Sequence, residues 1–238
     1  MSDRSPQRHN IFTAVAASGA LLLVLLVSGA AHAQAPELPP VDAGYPLDQL
    51  ERVINAAGRV RCPKVTKVRY RGDVIAYHSP VVVNPYFRER LRRFEVVVRD
   101  VALEVYGRAP RQIRHVGTYN CRRIAAWPTF LSEHGLANGI DVAGFDFGPA
   151  PRASRSTTPR AVRGAFSVRL ARHWQEGRTG AAALHSRFLR LLVRRLIARQ
   201  DIFRVLLGPV YPGHKDHFHF DCSPWRMVEV FQAPDSAL

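Results

Sequence analysis

The segment His217-Phe218-His219-Phe220-Asp221 limits the possible folds more than any other stretch of the chain. Polar and aromatic residues alternate with period two, and side chains two apart in a strand share a face. A strand here turns Phe218 and Phe220 towards a core and sets His217 and His219 together on the opposite face. Two imidazoles a few Å apart suit a metal ion or a ligand-plus-base pair. Alone, the His-x-His pattern fits two surface histidines on an edge strand equally well.

A second segment shifts that balance. In Ser132-Glu133-His134-Gly135-Leu136-Ala137-Asn138-Gly139-Ile140-Asp141-Val142, His134 and Asp141 lie seven residues apart. Gly135 and Gly139 permit a tight loop between them, and Ile140 and Val142 flank Asp141 in a strand pattern. A carboxylate placed among apolar residues needs a partner, and a metal ion is a common one. One His, one Asp and one further His supply three ligands. Three protein ligands leave the fourth tetrahedral position to water, as in catalytic zinc sites.

The remaining elements are predicted from periodicity and punctuation. A short helix is expected over Leu47–Ala57, and strands over Val65–Tyr70 and Val74–Tyr77 flank Gly72-Asp73 as a hairpin. Asn84-Pro85 is an N-cap followed by proline at the first helical position. From there Phe87, Leu91, Phe94, Val98, Val101 and Val105 recur at helical spacing up to Gly107. Gln112–Tyr119, Gly139–Phe147, Val162–Leu170, Phe203–Leu207 and His217–Asp221 read as strands, 149–160 as a loop, and Ala181–Gln200 as a second long helix. Strands and helices do not alternate regularly, which points to an α+β fold: a small antiparallel sheet carrying the zinc site, packed against two long helices.

The N-terminus sets the compartment. Arg4 and Arg8 precede an apolar run from Ile11 to Ala31, which ends in Ala31-His32-Ala33. A positive start, an apolar middle and small residues at the −3 and −1 positions form a secretory signal pattern. Residues 1–33 are therefore expected to be a signal peptide, with an uncleaved membrane anchor as the competing reading. A Pro-rich tether over 34–48 and one domain over 49–238 follow. The formal charge is +15. Lys64, Lys67 and Lys215 are the lysines, so the excess is almost entirely arginine. It points to anionic partners, and export removes the case for nucleic acid and leaves anionic envelope polymers. Export also permits a disulfide between two of Cys62, Cys121 and Cys222, three pairings being possible. The spacings lack the Cys-x₂-Cys clip of a structural zinc site.

Ser132-Glu133-His134-(six residues)-Asp141 followed by His217-Phe218-His219 resembles the zinc peptidase group that includes lysostaphin-type enzymes, D-Ala-D-Ala carboxypeptidases and hedgehog domains. More closely, Val60–Pro224 resembles the bacterial extensin-like C-terminal domain family. The matching pieces are Tyr119-Asn120-Cys121-Arg122, Leu131-Ser132-Glu133-His134, Gly139 to Phe145, and Leu207-Gly208-Pro209 leading into His214 to Asp221. The resemblance implies Zn²⁺ held by His134, Asp141 and His219, with His217 as general base or acid and Asp216 as its rival. It implies that Arg122 faces a substrate carboxylate or a developing oxyanion, and that His214 is an additional active-site histidine. The implied function is an exported, periplasmic or envelope zinc peptidase or amidase acting on peptidoglycan peptides. The alternative is a non-catalytic wall-binding domain. His78, His115, His173 and His185 read as surface or satisfied core residues, Cys222 as structural, and Trp127, Trp174 and Trp225 as core.

Overall fold

Asn84 starts the longest helix by accepting a hydrogen bond from the Tyr86 amide, while Pro85 takes the first helical position, where its missing N–H is no loss. The helix, α1, runs over Pro85–Tyr106 and stops at Gly107, whose φ of 68° is a left-handed cap that glycine adopts without a steric penalty. The computed structural model describes residues 44–175 and 179–232. The expected signal peptide or anchor and residues 34–43 of the expected tether lie outside the described residues. Among those described, no helix is long and apolar enough to cross a membrane.

The architecture is mixed α+β. Its main sheet is built from β2 (Ala76–Tyr77), β4 (Gln112–Gly117), β5 (Gly139–Phe147), β6 (Phe166–Arg169), β7 (Val205–Leu207), β8 (Phe218–Asp221) and β9 (Met227–Glu229). The order is β2-β4-β5-β8-β7-β9, with β6 also paired to β5. Nine residues long, β5 pairs with β8 through Gly139–Val142 and with β6 through Gly144–Phe147. The sheet is larger than the expected small antiparallel one and is not purely antiparallel, since β2–β4 and β7–β9 pair in parallel. A separate pair joins β1 (Val68–Tyr70) to β3 (Val81–Val83).

Three local expectations are corrected. Residues 47–57 hold only a four-residue 3₁₀ turn, Pro46–Gln49, because Arg52 is drawn into a buried ion pair with Glu133 and the Ile54 amide donates to Thr129. The two segments around Gly72-Asp73 do not form a hairpin. β1 pairs with β3 and β2 with β4, while the Glu95 carboxylate collects the amides of Asp73, Val74 and Ile75 between them. The strand expected over Val162–Leu170 is reduced to Phe166–Arg169, preceded by a 3₁₀ turn at Arg160–Val162.

α1 and α3 (Gly180–Ile197) lie against one face of the sheet, with the four-residue α2 (Leu170–His173) beside them. The contacts are aromatic. Phe220 stacks on Phe203 at 5.0 Å and meets Phe94 at 5.8 Å, while Phe145 meets Phe188 edge-on at 5.1 Å. Phe218 and Phe220 thus enter the core as the alternation requires, and His219 and Asp221 are turned to the face that the helices leave open.

Candidate metal centre

β5 and β8 place the two motifs side by side. Asp141 is the direct cross-strand neighbour of His219, and residues so paired carry their side chains on one face. His134 arrives from the 3₁₀ turn Glu133–Leu136, where Ser132 caps the turn by accepting from the His134 amide. The turn reverses at Ala137, a non-glycine residue in the left-handed region with φ of 53°. The close approach allowed by Gly135 is to the disulfide: a Cβ there would lie 2.7 Å from Cys62 Sγ.

The three side chains converge. His134 Nε2 lies 3.1 Å from Asp141 Oδ1 and 3.1 Å from His219 Nδ1, and His219 Nδ1 lies 2.9 Å from Asp141 Oδ1. All three residues are buried, and each can present a ligand atom to a common point. The outer partners fix which ring atoms are available. His134 Nδ1 donates to the Thr118 carbonyl, leaving Nε2 with its lone pair. His219 Nε2 donates to Asp221 Oδ2 at 2.7 Å, leaving Nδ1 with its lone pair. Asp221 is held in turn by the amide and hydroxyl of Ser223.

Two imidazole lone pairs and a carboxylate oxygen therefore face one another about 3 Å apart. Such a trio repels itself unless a cation sits among its members. Zinc bonds of about 2.0–2.1 Å place tetrahedral ligand atoms roughly 3.3 Å apart, so the donor set and its spacing fit that ion. Without a metal, a proton does the same work. Burial disfavours the charged His219, but its hydrogen bonds and charge interactions with Asp141 and Asp221 outweigh burial and push its pKa up to about 10. Burial likewise raises the Asp141 carboxyl, and the hydrogen bonds from His134 and His219 overcome it and hold that carboxyl well below the usual range. A metal at this point takes the place of that proton.

The other sequence-identified residues surround this cluster. His217 Nε2 lies 3.9 Å from Asp141 Oδ1, and its Nδ1 lies 2.8 Å from Asp216 Oδ1. Asp216 is largely in solvent and reaches the cluster only through His217. The His214 ring centre is 4.9 Å from that of His217 and 5.9 Å from that of His219. Burial, aided by the neighbouring imidazoles of His219 and His217 and opposed by the Pro212 carbonyl, holds His214 below the ordinary imidazole pKa. Arg122 lies in the wall of a cavity of about 510 Å³ that also touches His219, Asp221 and His214.

Some contributors were absent from the sequence reading. Asp221 stands two residues beyond His219, and the same period that paired His217 with His219 puts it on their face. The Thr118 carbonyl and the buried Arg52–Glu133 pair left no pattern in the sequence, because both depend on how distant segments meet. The disulfide, one of three possible pairings, joins Cys62 to Cys121, while Cys222 is free, buried, and donates to the Ile202 carbonyl. The half-buried His173 meets the buried His185 edge-on at 4.8 Å, and the exposed His78 lies tilted against the half-buried His115 at 4.8 Å. Trp127 departs from its expected core role: it is 45% exposed.

Fold and site together define a mixed α+β domain with a buried His-Asp-His group able to hold a metal ion. The family described as Extensin-like protein C-terminus matches residues 47–230, and the chain belongs to that family. No curated protein and no solved structure matches the chain.

Proposed function

We propose that the chain is an exported zinc-dependent peptidase or amidase acting on peptide bonds of peptidoglycan, related to the zinc peptidase group that its motifs resemble. The observation that carries this reading is the convergence of His134 Nε2, Asp141 Oδ1 and His219 Nδ1, with both rings held by outer partners so that lone pairs face the centre. His134, Asp141 and His219 would hold the ion with three ligands, the number found in catalytic rather than structural zinc sites. Zinc bound there supplies Lewis acidity, acidifying a water and polarising a carbonyl.

The chain's own residues account for the rest. His217 is the group to take and return a proton, since its Nε2 faces the cluster and Asp216 holds its Nδ1. This makes Asp216 the orienting partner of His217 rather than its rival. Arg122, on the cavity wall, offers a guanidinium to a substrate carboxylate or developing oxyanion. His214, its ring centre 4.9 Å from that of His217, is a second hydrogen-bonding imidazole.

The test has two arms. Purified protein retains one zinc per chain after dialysis and loses it in His134→Ala and Asp141→Ala. Muropeptides digested by the protein are spared when a chelator is present, as read by mass spectrometry. A protein that refuses zinc ends this reading. The second reading, a module that binds anionic wall polymer, draws on the arginine excess and on exposed guanidiniums such as that of Arg187 on α3. It predicts salt-sensitive binding to wall sacculi that survives His219→Ala.

A further inference from the structure

The charge of the chain is concentrated in one stretch. The 54 residues from Phe147 to Gln200 hold twelve arginines against one acidic residue, Glu176, a formal +11 of the chain's +15. Acids from neighbouring segments answer some of them: Asp146 pairs with Arg169, Glu104 of α1 with Arg187 and Arg195, and Asp201 with Arg199. Arg152, Arg155, Arg160, Arg172 and Arg194 are exposed and have no ion pair among the described residues. The fold gathers these side chains on the helical layer. Arg108, buried just past the end of α1, donates to the carbonyls of Gly148, Val162 and Gly164, which pins the loop carrying Arg152, Arg155 and Arg160 to that layer. The 3₁₀ turn Arg160–Val162 packs on α3, and so does α2, which carries Arg172. The helices lie on the face of the sheet opposite His219 and Asp221, so this surface is separate from the metal cluster. No large hydrophobic side chain of 147–200 is exposed among the described residues.

We propose that this arginine face docks the domain on the anionic phosphate headgroups of a lipid bilayer, with the metal cluster turned away from the membrane. Like charges crowded together destabilise the free domain, and an anionic surface relieves that repulsion. A guanidinium meets a phosphate through two parallel hydrogen bonds, a match that its planar fork provides. The five unneutralised charges stand on a loop, on α2 and on α3, so they cover an area, as a plane of headgroups requires, and do not follow a single groove as a polymer strand would. With no large apolar side chain exposed beside them, the contact is one of charge at headgroup level and not of insertion. The proposal goes beyond the zinc reading and uses none of its residues.

The test reads the dependence of binding on lipid charge. Full-length protein is mixed with vesicles of phosphatidylcholine alone, or of phosphatidylcholine with equimolar phosphatidylglycerol, and co-sedimentation is measured. The apolar run from Ile11 to Ala31 contributes to both, so the difference between the two mixtures is the readout. Each arginine near an anionic surface is expected to strengthen binding about fivefold. Arg152→Gln/Arg155→Gln/Arg160→Gln should therefore weaken binding to the anionic vesicles roughly hundredfold and leave binding to the zwitterionic ones unchanged. Arg172→Gln/Arg194→Gln, the second variant, should weaken it roughly thirtyfold. Rising salt should remove the preference for anionic vesicles. All five side chains are exposed, and an unchanged urea midpoint checks that each variant folds. Equal binding to the two mixtures, or variants that bind anionic vesicles as the unsubstituted chain does, overturns the proposal. Binding to wall sacculi without a preference for anionic vesicles also overturns it and assigns the arginines to wall polymer. Chelator should leave the vesicle result unchanged, so failure here leaves the zinc reading standing, and failure of zinc binding does not alter the vesicle assay.

Discussion

Replacing Arg52 by methionine should expose what holds the His134 loop in place. Arg52 and Glu133 form an ion pair with side chains only 4% and 2% exposed. Glu133 is also bound by the Asn138 amide, whose oxygen accepts from the Tyr45 hydroxyl at 2.6 Å. Glu133 directly precedes His134, so this network anchors one ligand of the cluster. Removing one partner of a buried pair strands the other charge, a loss of about 3–5 kcal/mol. For a domain of this size that lowers the melting temperature by roughly 6–20 °C. The pH dependence follows from the sign of the shift. Burial, with the nearby Asp221 charge, already raises the Glu133 carboxyl above its ordinary value, opposed by Arg52 and Asn138. In Arg52→Met the opposition weakens and the folded-state pKa rises further. A raised carboxyl favours the fold below its unfolded pKa and loses that contribution as pH rises through the folded one. The defect should therefore be largest near pH 8 and shrink towards pH 5, and Arg52→Met/Glu133→Gln should recover most of it. Urea titrations in chelator at both pH values measure this. A loss below about 1 kcal/mol, or a double variant no better than the single one, refutes the account.

Further predictions concern single contacts. A Cβ at Gly117 would lie 2.3 Å from Asp141 Oδ2, so Gly117→Ala should displace the ligand carboxylate and weaken zinc binding at least about tenfold, read by chelator competition. The Cys62–Cys121 bond closes a loop with a sequence separation of 59, so reduction should cost about 4 kcal/mol in chain entropy. It should also loosen zinc, because Asn120, next to Cys121, donates its amide to the His134 carbonyl. A urea midpoint unchanged by reduction would falsify this role. Burial, with the charge of His173, lowers the His185 pKa to about 4, so the unfolded chain binds the extra proton and stability should fall by about 3 kcal/mol as pH drops from 6.5 towards 4. His185→Leu should flatten that limb of the pH–stability curve, since the Tyr106 hydroxyl retains the Leu184 carbonyl as partner.

The local periods in the sequence reached far. Alternation in Phe218–Asp221 assigned Phe218 and Phe220 to the core and His219 to the open face, because side-chain direction in a strand depends on parity alone. Asn84, Pro85 and Gly107 marked the ends of α1 because capping is chemistry between near neighbours. The pairing of β5 with β8, the choice of Cys62 with Cys121, and the selection of the Thr118 carbonyl and Asp221 as ring holders could not be found that way. Nor could the failure of 47–57 to form a helix, where a buried guanidinium overrode local propensity. These features depend on which distant segments meet and on which buried polar groups must then find partners. The sequence by itself determined the residue types able to hold a metal and the face of the strand on which they stand. Only the tertiary structure decided that three lone pairs meet at one point, since that meeting joins segments 85 residues apart in the chain.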